Sequence, residues 1–131
     1  MVQKEFRVAN FEKGRYLTWH VASQSKKELK VTLRDDQQDY FASKKNKGNS
    51  NLEELAFGGS HIKGNDLTIV IDIPESDEIK GTPYLNTTLK ENGDLVGYTW
   101  LLTIEEAHDD DYNDLTIVLS SMRLNFDQIW E

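Results

Sequence analysis

Residues 98–104 read Tyr98-Thr99-Trp100-Leu101-Leu102-Thr103-Ile104, and residues 115–119 read Leu115-Thr116-Ile117-Val118-Leu119. In both stretches apolar side chains recur at every second position, the period that sends alternate residues to opposite faces of a strand. The ten residues between them, Glu105-Glu106-Ala107-His108-Asp109-Asp110-Asp111-Tyr112-Asn113-Asp114, contain six acids and no base. Two strands joined by a short polar loop predict a hairpin, with the acids gathered at its tip.

The same period runs outward along the chain. Leu67-Thr68-Ile69-Val70-Ile71-Asp72-Ile73 is rich in the β-branched residues that suit a pleated surface. Further strands are expected at about 15–22, 28–34 and 84–90. Asn92-Gly93 has the composition of a tight hairpin turn leading into the 95–104 strand. Turn signals are also read at 47–51, at Gly58-Gly59, at 63–66 and at Lys80-Gly81-Thr82-Pro83. The only helix-like run, Asn51 to Leu55, is one turn at most. Short strands at this spacing predict an all-β antiparallel β-sandwich, a single domain over residues 1–131. Trp100 alternates with core positions and is expected inside, whereas Trp130 is expected at an interface.

Composition excludes several function classes. The chain has 131 residues, 15 Lys and Arg against 23 Asp and Glu, and a net charge of −8. Such a chain repels a phosphate backbone, so nucleic acid is not an expected partner. No apolar run reaches the roughly 18 residues of a membrane-spanning helix, and the first residues lack the apolar stretch of a signal peptide. Zero cysteines remove disulfides, thiolate metal sites and thiol nucleophiles. Gly58-Gly59-Ser60-His61 lacks the strand-to-helix setting of a nucleophile elbow. Neither Glu105 with Glu106 nor Asp72 with Glu75 has the spacing of a glycosidase pair, so no enzyme is expected.

The acidic loop supplies −6 of the total −8. Carboxylates crowded together repel at about 1 kcal/mol per close pair even in water. A loop pinned between two strands cannot relieve this by extending, so a cation or full solvation must offset it. Hard oxygen donors with no His–Cys set favour calcium. The EF-hand pattern is rejected, because Asp114 stands where its sharp turn needs glycine and Ser120 where it needs glutamate. A calcium loop between two strands and a merely solvated acidic hairpin remain as the two readings.

Glu105, then three residues, then Asp109-x-Asp111-Tyr112-Asn113-Asp114 ahead of an Ile/Val/Leu strand resembles the calcium loop of the bacterial two-calcium fucose/mannose-binding lectins, the PA-IIL or LecB-like family. The resemblance extends without gaps to residues 17–33 and 64–73. It implies that Glu105, Asp109, Asp111 and Asp114 hold one calcium, that Asp111, Asn113 and Asp114 share a second, and that the Ala22 carbonyl is a further ligand. It also implies that the sugar's hydroxyls complete the calcium shells. Ser23, Gln24 and Ser25 would then tune the choice of sugar, with Glu106 as an additional hydroxyl acceptor. In that family the chain stops at a glycine whose carboxylate reaches the partner's second calcium; here residues 115–131 follow Asp114, so one or two ions are expected.

The resulting expectation is a calcium-dependent lectin binding mono- or oligosaccharides or glycoconjugates, a homodimer or higher oligomer, without catalysis. The alternative is a sandwich that calcium rigidifies and that binds no sugar. Because free calcium is scarce in cytosol, the expected location is outside the cell, reached by a non-Sec route, and otherwise the cytoplasm.

Overall fold

The computed structural model describes residues 2–48, 51–89, 92–105 and 114–123. Among these described residues nine strands follow one another: β1 (Val2–Arg7), β2 (Tyr16–Ser23), β3 (Leu29–Arg34), β4 (Asp39–Lys45), β5 (Glu53–His61), β6 (Thr68–Ile73), β7 (Lys80–Leu89), β8 (Leu95–Glu105) and β9 (Leu115–Met122). They form two antiparallel sheets, one ordered β1-β6-β3-β4 and the other β5-β2-β9-β8-β7. The fold is the antiparallel β-sandwich the alternation predicts.

The core lies between the sheets. Val31, Leu33, Ile69, Ile71 and Ile73 from the four-stranded sheet meet Leu17, Val21, Leu102, Ile104, Ile117 and Leu119 from the five-stranded one, all completely buried. Trp100 joins them at 4% exposure. Trp19 is half-buried, its ring 5.7 Å from Phe41 and 6.2 Å from Tyr40. The Asn92-Gly93 reading holds: β7 pairs with β8, and Gly93 has φ of 88°, a left-handed conformation that glycine adopts without steric cost.

Several local readings are corrected. Gly58-Gly59 is not a turn; both residues lie within β5, opposite Trp19 and Thr18 of β2. A Cβ on Gly58 would come within 2.9 Å of the Trp19 ring, and one on Gly59 within 2.7 Å of the Tyr16 hydroxyl. Glycine is there because two aromatic rings lie against the backbone. Residues 80–83 are likewise strand: β7 is an edge, where proline is tolerated. Residues 53–55 start β5 and form no helical turn. Lys45, the last residue of β4, is 3% exposed.

At the far end of β3, Asp35 ties the β3–β4 turn to the loop before β6. Its carboxylate accepts the N–H groups of Gln37 (2.7 Å), Gln38 (3.0 Å) and Gly64 (2.9 Å) and the Tyr40 hydroxyl. Burial alone would raise its pKa, but these four donors outweigh it and hold the carboxyl below the ordinary aspartate value. Burial, and then the bond to Asp35, push the Tyr40 hydroxyl up.

Candidate functional site

Three strand ends meet at one end of the five-stranded sheet. The register pairs Ile104 of β8 with Leu115 of β9, and Leu115 with Ser23 of β2. The acidic loop therefore starts and finishes beside the residues that follow β2. Glu105 closes β8 and is buried to 1% exposure, an unusual place for a carboxylate. Across the β7–β8 pair, Lys80 stands opposite it.

Asp114 is the junction. Its backbone carbonyl accepts the Ser23 hydroxyl at 2.5 Å and the Gln24 N–H at 3.2 Å. These bonds clamp a segment 91 positions away in sequence onto the end of the acidic loop. Ser23 Oγ also accepts the Ser25 N–H at 3.1 Å, and Ser25 Oγ accepts the Lys27 N–H at 3.0 Å. Both serines are 1% exposed. The two hydroxyls thus build the loop from within, each bonding a backbone amide two residues on and so replacing a strand ladder with a turn. Gln24, half-buried between them, is the side chain this loop presents outward.

Of the residues singled out in the sequence, Ala22, Ser23, Gln24, Ser25, Glu105 and Asp114 are brought together here. Glu106, Asp109, Asp111 and Asn113 lie outside the described residues, as do His108 and Trp130. Among the described residues no three His, Cys, Asp or Glu gather as a metal cluster. The donor chemistry that is described, two carboxylates and the end of β2 with no nitrogen or sulfur among them, fits a hard divalent cation such as calcium. The clamp through Asp114 was not readable from sequence, since no local pattern announces a bond to a backbone carbonyl in another segment.

The chain matches no protein-family model and no curated protein by sequence. Its structure is similar to three bacterial lectins. The high-affinity mannose-binding lectin of Ralstonia solanacearum superimposes with a TM-score of 0.62 at 13% identity, over 92% of this chain and 96% of that one. The C-terminal domain of the BC2L-C lectin of Burkholderia cenocepacia gives 0.67 at 14% identity, over 95% of this chain and 100% of the other. The Chromobacterium violaceum lectin CV2L, solved with α-methyl-fucoside, gives 0.54 at 15% identity, over 92% and 96%.

The chain has the fold of these lectins. Fold and function are separable, so what it binds is argued from the site.

Proposed function

We propose that this chain is a lectin that binds a fucose- or mannose-type saccharide through calcium held at the β8–β9 loop, without catalysing a reaction. The observation that carries the proposal is the clamp at Asp114, which joins the loop of crowded acids to the Ser23–Ser25 segment at one end of the sheet. The likeness to three lectin folds supports it. Glu105, Asp109, Asp111, Asn113, Asp114 and the Ala22 carbonyl are the proposed calcium ligands. Bound calcium would polarise vicinal sugar hydroxyls and offset the repulsion among these acids.

The remaining work belongs to the chain. Ser23 and Ser25 fix the loop's shape through their buried hydroxyls, Gln24 meets the sugar from that loop, and Glu106 accepts a hydroxyl beside it. The protein acts outside the cell, where calcium reaches the concentrations that extracellular modules need.

Calorimetric titration of methyl-fucoside and methyl-mannoside, with calcium and then with a chelator, tests the proposal. Sugar heat that vanishes on chelation is the expected result. A calcium-dependent rise in melting temperature with no sugar response would overturn the lectin reading and leave a calcium-stiffened sandwich. Asp111→Ala is expected to abolish metal uptake; full calcium stoichiometry in that variant would remove Asp111 from the ligand set. Gln24→Ala is expected to alter the ratio of fucoside to mannoside affinity while calcium uptake stays intact.

A further inference from the structure

Lysines gather on the rim of the sandwich beside the Ser23–Ser25 loop. Three segments converge there: residues 26–30, which lead from that loop into β3, residues 44–47 at the end of β4, and residues 72–75 at the end of β6. The register sets Lys30 opposite both Lys44 and Asp72. The Gly48 N–H donates to the Lys26 carbonyl at 3.0 Å, and Lys47 Nζ reaches Glu75 at 3.1 Å. These segments hold six of the chain's fifteen Lys and Arg, against three acids. Lys45 is buried, Lys27 is half-buried, and the other four are exposed.

The acids do not neutralise this rim. Glu28 is taken by Lys44 at 2.6 Å and Glu75 by Lys47, while the Asp72 carboxylate accepts the Gln3 Nε2–H at 2.8 Å. Lys26, Lys27 and Lys30 form no ion pair among the described residues. Like charges directly opposite in an antiparallel pair are destabilising, and Lys30 faces Lys44 in that way. Three unpaired ammonium groups on one rim of a chain with net charge −8 leave a local positive potential that its own carboxylates do not cancel. An open groove of about 400 Å³ lies among them, lined by Glu28, Leu29, Lys30, Lys44, Asp72 and Pro74. Pro74 and the aliphatic stems of the lysines offer an apolar wall to the C–H face of a sugar ring.

We propose that this groove and the Lys26–Lys27 turn hold anionic substituents, sulfate or carboxylate, on the saccharide residues beyond the one that calcium holds. The preferred ligand is then an acidic oligosaccharide; this rests on the calcium-lectin reading above. The two sheets of a sandwich stand about 10 Å apart. A glycan leaving the acidic loop at the end of the five-stranded sheet crosses that distance over Lys26 and Lys27, which link the two sheets, and arrives at Lys30. Each calcium bound at the acidic loop cancels two negative charges, so the loaded site admits an anion that the empty loop repels. Lysine suits the task, because a compact ammonium on a flexible stem meets an oxyanion without demanding one fixed geometry.

Calorimetry on the full chain in calcium tests the proposal with four probes: methyl-fucoside, a neutral fucose-terminated tetrasaccharide, the same tetrasaccharide sulfated on its inner residues, and one with glucuronate at those residues. The sulfated or the glucuronate form is expected to bind at least tenfold more tightly than the neutral one, and whichever does so identifies the anion. That gain is expected to shrink as sodium chloride is raised. Lys26→Gln combined with Lys30→Gln is expected to abolish the gain and leave methyl-fucoside affinity unchanged. Lys63→Gln, an exposed lysine at the Asp35 end, is expected to retain it. Equal affinities for neutral and acidic tetrasaccharides in a chain that binds methyl-fucoside would overturn the proposal and leave the lectin reading standing. A gain that survives the double substitution would also overturn it, as would a DNA oligonucleotide bound as tightly as the acidic probe. Binding of an acidic tetrasaccharide that needs the lysines but not calcium, with methyl-fucoside unbound, would uphold the groove and overturn the calcium reading.

Discussion

The two sheets turn the same kind of face inward and opposite kinds outward. On the outer face of the four-stranded sheet the register sets Gln3, Asp72, Lys30 and Lys44 in one row and Arg7, Thr68, Arg34 and Asp39 in another. These are ordinary solvated ladders with ion pairs of Arg34 to Glu5 and Lys44 to Glu28 at 2.6 Å each. The corresponding rows of the five-stranded sheet hold threonines, serine and apolar side chains. Alternation decides which residues reach the core, but it leaves the other half free to record what the outside of each sheet touches. One outer face is laced with charge, the other is largely uncharged.

Deleting core volume should erase that difference, because the inner faces share one core. Leu102→Ala and Ile71→Ala, each removing a completely buried side chain from a different sheet, are each expected to destabilise the protein by about 2–5 kcal/mol. Urea unfolding monitored by tryptophan fluorescence measures both, and a loss confined to one sheet's variant would show that the two sheets do not share their core. Next in size is Gly59→Ala, which belongs to the five-stranded sheet alone. The new Cβ would sit 2.7 Å from the Tyr16 hydroxyl, so the ring must move off the strand. A loss of about 1–3 kcal/mol is expected from such overpacking. Gly48→Ala, whose Cβ meets nothing nearer than a carbonyl at 3.9 Å, is the control, and equal losses in the two variants would refute the aromatic-on-glycine account of β5.

This contrast also explains what the sequence disclosed. The strands legible from alternation, β2, β3, β6, β8 and β9, are the five interior strands of the two sheets. The strands it did not reveal, β1, β4 and β5, are all edges. An edge strand is hydrogen-bonded on one side only and is kept polar so that it does not recruit further strands, so Val2–Arg7 and Asp39–Lys45 lack the apolar half of the pattern. β7 was found through Asn92-Gly93, yet its first residues passed for a turn because Pro83 is tolerated at an edge. Within the site, the acids and their loop were plain, since charge density is a local property. The seat of Ser23 was not, since its hydroxyl bonds a carbonyl 91 positions away that only the fold brings near.

A pH titration separates the far end of the sandwich from both outer faces. Asp35 has its pKa held down by four donors in the folded chain. A carboxyl with a depressed folded value adds stability that is fully present above its unfolded pKa of about 3.9 and disappears as pH falls through the lower folded value. The melting temperature is therefore expected to drop on acidification below about pH 4, and Asp35→Asn to flatten that part of the curve. A curve of unchanged steepness in the variant would assign acid lability to other carboxylates.

The smallest effect is expected where the structure shows the most visible pairing. Arg34 and Glu5 lie 2.6 Å apart, but their side chains are 47% and 53% exposed. Water already solvates both charges, and holding two long side chains in one geometry costs entropy that the weakened attraction barely offsets. Glu5→Gln is expected to change unfolding free energy by about 0.2–1 kcal/mol, and by less in high salt. A loss above about 2 kcal/mol, larger than exposed pairs give, would mean that the charged ladder of the four-stranded sheet holds structure instead of facing solvent. The contrast between the two outer faces would then have to be redrawn, with the charged ladder counted among the interactions that hold the fold.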